Sequence, residues 1–357
     1  MKLTIDRTHG GNAPPGTLDF SASLNPLGPP PAALAAYRET AGLIAQYPPT
    51  YSDELASRLA RRHRVAPDQV VVGNGATHLI YLLARKLGAR RPFIVVPTFS
   101  EIANAMLAAG TQPYAILAER ARGFAIGPAE AAAALAQGAD AIFIGRPNSP
   151  TGAMLSVADA AAIAARCERH GCWCVFDEAF VDFVGKEHSA ISLVTRNPRL
   201  VVLRSLTKIF AIPGLRVGYL IAERETAGRI RAACEPWSVN VAAAQVALSC
   251  LDVGDEYAER SRGLIAAERE YLSDALAAME GIGVFASAAN FLMFEVGNER
   301  RPGSFARHIL THGMTVRDLR ALPGCGPGMY RIAVRLREDN ERLIASAGLY
   351  VESPSGG

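Results

Sequence analysis

The sequence predicts an α/β protein, with a mostly parallel sheet covered by helices on both faces and a smaller α+β domain joined to it. Three observations lead there. The middle of the chain alternates short apolar runs with longer Ala-rich amphipathic segments, the rhythm of strand–helix–strand units whose strands are buried on both sides. After about residue 225 that rhythm gives way to a long helical tract and four short strand-like runs. At 357 residues, 50% hydrophobic and 20% charged, the chain is long enough for a main core and a second, smaller one.

Taken in order, residues 1–47 read as an N-terminal segment that packs with the smaller domain. The Pro-rich stretch 26–31 and the turn Tyr47-Pro-Pro-Thr-Tyr51 mark its crossing between domains. Residues 48–225 form the larger domain. Its apolar runs predict strands at 70–72, 93–96, 141–145, 172–176, 200–203 and 217–222, and helical periodicity covers 77–87, 101–109, 128–136 and 156–169. Residues 226–357 supply an interdomain helix over 256–279 and the smaller domain, with strands at 283–286, 291–296, 314–316 and 329–334 and a last helix over 338–347. Ligands of such parallel sheets collect beyond the carboxyl ends of the strands. The residues directly after each apolar run are therefore the ones to read for chemistry.

Composition excludes several classes of partner. A formal charge of +3 with arginines scattered through the chain gives no basic stripe for nucleic acid. Six cysteines are too few for a disulfide scaffold and fit a reducing cytoplasm, where a thiol packs as a small hydrophobe. Cys172 and Cys174 have no second pair to complete a metal tetrahedron, so no metal is expected. The polar N-terminus predicts neither a signal peptide nor a membrane span.

The most informative residue is Lys208. It lies between two apolar runs, with hydroxyls at Ser205 and Thr207 before it and Arg216 after it, an amine able to form an imine beside an anion site. That arrangement points to pyridoxal 5'-phosphate, which also needs an acid at its ring nitrogen, a phosphate cradle, a donor to its phenolic oxygen and a stacking group. Each part has a candidate at a strand end. Asp177 closes an apolar run and can hold the ring nitrogen protonated. Gly73-Asn74-Gly75-Ala76-Thr77 leads from a strand into a helix, whose first amides attract a dianion, and Arg216 suits a bidentate phosphate contact. Asn148, in Arg146-Pro-Asn148-Ser-Pro150-Thr-Gly152, offers an amide, and Phe99 an aromatic face. Each of these alone is commonly a turn, a cap or a packed ring; their shared position after successive strands is what singles them out.

In this order the motifs Gly73 to Thr77, Asn148 to Gly152, Asp177 to Ala179 and Ser205 to Gly218 resemble the fold-type I pyridoxal phosphate enzymes of the aminotransferase class I/II family. The resemblance runs over nearly the whole chain. It implies a seven-stranded sheet and Lys208 as the cofactor-binding lysine and proton carrier. Asp177 would sit on the ring nitrogen and Asn148 on the phenolic oxygen. Gly75, Ala76, Thr77, Ser205 and Arg216 would hold the phosphate. It also implies a homodimer with shared active sites, in which Tyr47 reaches the neighbouring subunit's cofactor phosphate.

Two branches of the family fit. Histidinol-phosphate aminotransferases usually have tyrosine where this chain has Phe180. The L-threonine O-3-phosphate decarboxylases of cobalamin biosynthesis are more similar: they share the His9-Gly-Gly-Asn12 opening, the stretch from Asp19 through Asn25 to Gly28, a phenylalanine at Phe180 and Ser-Leu-Thr-Lys. The resemblance assigns Arg331 to the substrate carboxylate and Arg317, helped by His9, to its phosphate, with Asn25 among the substrate-binding residues. Arg335 has the same strand parity as Arg331 and is left as its alternative. The expected reaction is decarboxylation of a small phosphorylated amino acid; the alternative is transamination of histidinol phosphate or a related amino acid with 2-oxoglutarate.

Overall fold

The computed structural model describes residues 1–297, 299 and 301–352. After β1 (Leu18–Asp19) come the strands of the central sheet: β2 (Val70–Gly73), β3 (Pro92–Val96), β4 (Tyr114–Leu117), β5 (Ala141–Gly145), β6 (Trp173–Asp177), β7 (Leu200–Ser205) and β8 (Gly218–Ala222). These seven lie in the order β2-β8-β7-β6-β5-β3-β4, and only β8 runs against the rest. The α/β class and the mostly parallel sheet are as the sequence predicts. β4 is the strand that the apolar pattern does not reveal. It is an edge strand in which only Ile116 is buried and Leu117 is 54% exposed, so it carries no continuous apolar run.

Strand alternation builds two cores. Val71, Ile94, Phe143, Val175, Val201 and Leu220 pack on one face with Leu79, Ile80 and Leu83 of the helix Gly75–Lys86 and Met106 of the helix Glu101–Ala108. Their neighbours Val70, Val95, Ile142, Phe176, Val202 and Ile221 face the other core, with Leu55 and Leu59 of the helix Asp53–His63 and Ile163 of the helix Val157–Arg169. Each fully buried aliphatic side chain contributes roughly 1.5–3 kcal/mol relative to exposure, so both faces of the strands are firmly held. The same period of two carries through the strand ends: Asp177 and Ser205 fall on one face, Glu178 and Arg204 on the other.

Beyond the helix Gly254–Ala277 follow β9 (Ile282–Val284), β10 (Phe291–Val296), β11 (Met314–Thr315), β12 (Arg317–Asp318) and β13 (Met329–Ala333). Four of them form an antiparallel sheet in the order β12-β13-β10-β9, while β11 pairs in parallel with β1. The strand expected at 314–316 is thus two short strands in different sheets, because the chain changes partner at Val316. β9 stops earlier than expected; the chain leaves the sheet and meets Gly152 through the Ala288 amide. The N-terminal segment holds to both sheets. Lys2 bridges Tyr114 and the Leu3 amide donates to Pro113, whereas Phe20 exchanges backbone bonds with Thr315 and Ala333 of the C-terminal part.

Candidate active site

A cleft of about 630 Å³ opens at the carboxyl edge of the central sheet. β2, β3, β5, β6 and β7 all end there, and antiparallel β8 begins there, which is why Arg216 joins residues that follow the other strands. Eleven of the expected residues line it: His9, Gly75, Ala76, Thr77, Phe99, Asp177, Ser205, Lys208, Arg216, Arg317 and Arg331.

At the floor, the helix Gly75–Lys86 begins without a side-chain cap, leaving its first amides to a ligand. Gly75 has φ +78°, and a Cβ there would stand 2.8 Å from Arg216 Nη2. A Cβ on Gly218 would lie 2.6 Å from the Ala76 nitrogen. Both glycines are therefore required for the guanidinium and the amides to converge on one point. Ser205 Oγ and Thr207 Oγ1 lie 2.8 Å apart beside them. This donor set, an uncapped helix start with a guanidinium and hydroxyls, suits a phosphate dianion.

Burial dominates the electrostatics. It pushes the Lys208 amine down to about 8, helped by Arg331 and Arg216 and opposed by Asp177. Burial likewise raises the Asp177 carboxyl to about 6; the Ala179 amide on Oδ1 works against that, Glu178 adds to it, and Lys208 opposes it. The two groups are shifted towards each other, so that near neutral pH Asp177 is ionised and Lys208 keeps a neutral fraction. The Lys208 Nζ stands 5.9 Å from the centre of the Phe180 ring, an apolar face with no hydroxyl to offer.

Across the cleft, Arg317 and Arg331 are directly opposed in the β12–β13 register, and both line the cavity. Burial and then Arg317 push the Arg331 guanidinium down to about 10, with Asp19 opposing. Arg331 donates to Ser149 Oγ at 2.9 Å and to the Ser21 carbonyl at 2.7 Å, and its Nε is buried with no partner. Arg317 donates to the Thr8 carbonyl. His9 Nε2 is 3.0 Å from Glu101 Oε1, and that carboxylate is itself held by the Tyr81 hydroxyl and the Asn104 amide.

Three expected residues do not line the cleft. The Asn25 side chain is spent beneath it on the Ile209 carbonyl and Ser261 Oγ, and its backbone amide donates to the Lys208 carbonyl, so it braces the lysine turn instead of facing a substrate. Asn148 sits behind the wall: its amide donates to the Pro97 carbonyl and Thr151 Oγ1 and accepts from Thr98. Tyr47 is 81% exposed and packs on Trp237, away from the cavity of its own chain. The choice between the two arginines of β13 and its end is settled for cavity contact by position. Arg335 is outside, held by Asp339 at 2.8 Å and the Asp19 carbonyl.

Sequence reasoning missed Thr98, Ser149 and Glu101, all on the wall. It also missed a buried ion chain behind it, in which Arg146 meets Glu178 at 2.6 Å and Arg204 meets Glu178 at 3.7 Å and Asp182 at 2.6 Å. Charged residues one step from Asp177 and Ser205 were its only signal. The cysteines are free thiols. Among the described residues no cluster could hold a metal ion, and no helix is long and apolar enough to cross a membrane.

Residues 15–346 match the family described as Aminotransferase class I and II. The chain belongs to that family. Its cofactor is pyridoxal 5'-phosphate, and the convergent donors at Gly75, Ala76, Ser205 and Arg216 fit that group's phosphate. Among curated relatives, the chain is 34% identical to the threonine-phosphate decarboxylase of Salmonella typhimurium, with 96% of each covered. It is 31% identical to a histidinol-phosphate aminotransferase of Desulfitobacterium hafniense, over 94% of this chain and 92% of that one. Among solved structures, the histidinol-phosphate aminotransferase from Clostridium acetobutylicum superposes with a TM-score of 0.85 at 26% identity, covering 92% of this chain and 97% of its own. Membership therefore establishes an enzyme that uses pyridoxal phosphate, with a lyase and aminotransferases both among its relatives.

Proposed function

We propose that the chain decarboxylates L-threonine O-3-phosphate to (R)-1-amino-2-propanol O-2-phosphate, a step of cobalamin biosynthesis. The observation that carries this reading is the opposed pair Arg317 and Arg331 in the cleft. Like charges directly across a strand pair oppose folding, and a substrate with two anionic ends relieves both. Arg331, with its unpartnered Nε, takes the carboxylate; Arg317, with His9, takes the phosphate. The 34% identity to a threonine-phosphate decarboxylase supports the same choice.

When bound, pyridoxal phosphate supplies an electron sink for the pair released at the substrate Cα. The chain does the rest. Gly75, Ala76, Thr77, Ser205 and Arg216 would hold the phosphate, Phe99 would cover the ring, and ionised Asp177 would keep a proton on the ring nitrogen. Asn148, whose N–H donors are on Pro97 and Thr151, would supply one of them to the phenolic oxygen. Lys208 is nucleophilic because burial leaves part of it neutral, and after carbon dioxide departs it returns a proton to Cα. Two anchored anionic ends fix rotation about Cα. That rotation decides whether the bond to the carboxylate or the bond to hydrogen is the one broken.

The second reading is an aminotransferase acting on histidinol phosphate or a related amino acid with 2-oxoglutarate, which the 31% identity to such an enzyme supports. Phe180, which has no hydroxyl beside Lys208, counts against it. We further propose residues 1–47, 48–225 and 226–357 as N-terminal segment, cofactor domain and C-terminal domain; residues 298, 300 and 353–357 lie outside those described. The enzyme works in the cytoplasm as a homodimer, with the exposed Tyr47 of one subunit reaching the cofactor phosphate of the other. The test is carbon dioxide release by the holoenzyme from L-threonine O-3-phosphate without a keto acid. Glutamate formed from histidinol phosphate and 2-oxoglutarate, with no carbon dioxide from the first mixture, selects the second reading.

A further inference from the structure

A second cleft, of about 330 Å³, lies on the sheet face that carries Arg204, between the helix Asp53–His63, the turn Val181–Phe183 and the start of the helix Gly254–Ala277. Its wall is strongly polar: five cations, Arg58, Arg61, Arg62, Lys186 and Arg204, stand against the carboxylates of Asp182 and Asp255. Arg58 pairs with Asp252 just outside, Arg62 with Asp255 at 2.8 Å, and Glu178 behind the wall lies 3.7 Å from Arg204 but is held at 2.6 Å by Arg146; with that pair included, four carboxylates offset six cations and two positive charges remain. Arg61 and Lys186 are exposed, and neither side chain has a hydrogen-bond or ion-pair partner among the described residues. His63 adds no charge, since burial and then Arg204 push it down to about 3 and the Tyr219 hydroxyl pairs with its Nε2 at 2.7 Å.

The deep end supplies an independent sign. Arg204, 2% exposed, gives Nη2 to Asp182 and Nη1 to Ser189, and its Nε is left buried with no partner. An unpaired buried donor is destabilising, and an anion accepting from this arginine would relieve it. Leu251 is the one apolar residue on the wall, so nothing there would hold a base or a hydrocarbon tail.

We infer that this cleft is a second anion site, separate from the cofactor cradle, that takes inorganic phosphate or a small phosphate ester. Arg61 and Lys186 draw the dianion in, and Arg204 closes on it from below. Because Arg204 directly precedes Ser205 on β7, the ligand rests on the strand that carries a cofactor-site hydroxyl.

Calorimetric titration of the holoenzyme with inorganic phosphate tests this, since the bound cofactor fills the Gly75 cradle. Three proteins are compared: the unaltered enzyme, Arg61→Glu/Lys186→Glu, and Arg317→Ala, which removes the competing anion site of the active cleft. The expected result is saturable binding weakened about tenfold or more by the double substitution and less than about twofold by Arg317→Ala. Turnover without added phosphate should be the same in the double variant. The inference is overturned if binding fails to saturate by roughly 10 mM phosphate, if the double variant binds as before, or if Arg317→Ala alone abolishes binding. Should charge reversal unfold the protein, Arg61→Gln/Lys186→Gln is read by the same criteria. Phosphate binding is measured without any substrate, so its outcome stands apart from the identity of the reaction.

Discussion

Lys208, Asp177, Ser205 and the Gly75 turn stand at or just beyond the ends of neighbouring buried strands, whereas Arg331, Arg317 and His9 reach the same cleft from two short C-terminal strands and an N-terminal arm pinned by Glu101. The floor is set by sheet register, in which a shift of one residue would turn every side chain to the other face. The mouth is assembled from pieces far apart in sequence, joined by a few polar contacts. A chain can therefore keep the floor and change the mouth, and on the proposed function the mouth is where the reaction is chosen.

The largest effect should come from the floor. Lys208→Ala is expected to abolish the visible absorbance of the lysine-bound cofactor and to lower turnover by about 10²–10⁴-fold, the range for loss of an acid–base group. An unchanged spectrum would move the cofactor away from Lys208. The mouth should behave differently. Arg331→Gln is expected to lower kcat/KM for L-threonine O-3-phosphate roughly 100-fold or more, as for removal of one partner of a buried charged contact. Arg317→Gln should raise KM about tenfold and at the same time stabilise the substrate-free protein by roughly 0.2–1 kcal/mol, because a like-charged cross-strand neighbour is gone. Loss of stability in Arg317→Gln would show that the pair is not held in opposition.

Apoprotein stability against pH separates the regions more gently. Asp177 is raised from 3.8 to about 6, so the folded state binds more protons across that window and stability falls as pH rises through it. Lys208 is lowered from 10.5 to about 8, so the unfolded chain binds more protons there and stability rises from pH 8 to 10.5. Urea unfolding at a series of pH values should lose the lower slope in Asp177→Asn and the upper one in Lys208→Met. The smallest effect is expected for Arg335→Gln: KM unchanged, and stability lower by about 0.5–1 kcal/mol from the lost contacts with Asp339 and the Phe20 ring. A KM effect as large as that of Arg331→Gln would restore Arg335 as the carboxylate ligand.

The same contrast explains what could be read before the structure. Strands buried on both faces announce themselves as continuous apolar runs, so β5, β6 and β7, and with them Asp177 and Lys208, were legible within a residue or two. Edge strand β4 was not, since one of its faces meets solvent. Arg331 and Arg317 were named through family resemblance, but their cross-strand opposition appears only once β12 and β13 pair. Asn25 illustrates the converse error. It belongs to a recognisable motif, and its position beside Lys208 comes from bracing the backbone, a role that a motif does not distinguish from binding. The chain Arg146–Glu178–Arg204 was hidden because strand parity says which face a charge takes but not that its partners wait there.

The central claim is that two opposed arginines turn a shared cofactor floor towards carboxylate loss. Its most direct test is carbon-13 NMR of carboxyl-labelled L-threonine O-3-phosphate incubated with the holoenzyme in heavy water, without a keto acid. The account predicts that the label leaves as carbon dioxide and bicarbonate while the phosphorylated amine gains a single deuterium at Cα. Label that stays on the substrate, in an enzyme that makes glutamate from histidinol phosphate and 2-oxoglutarate, would contradict it.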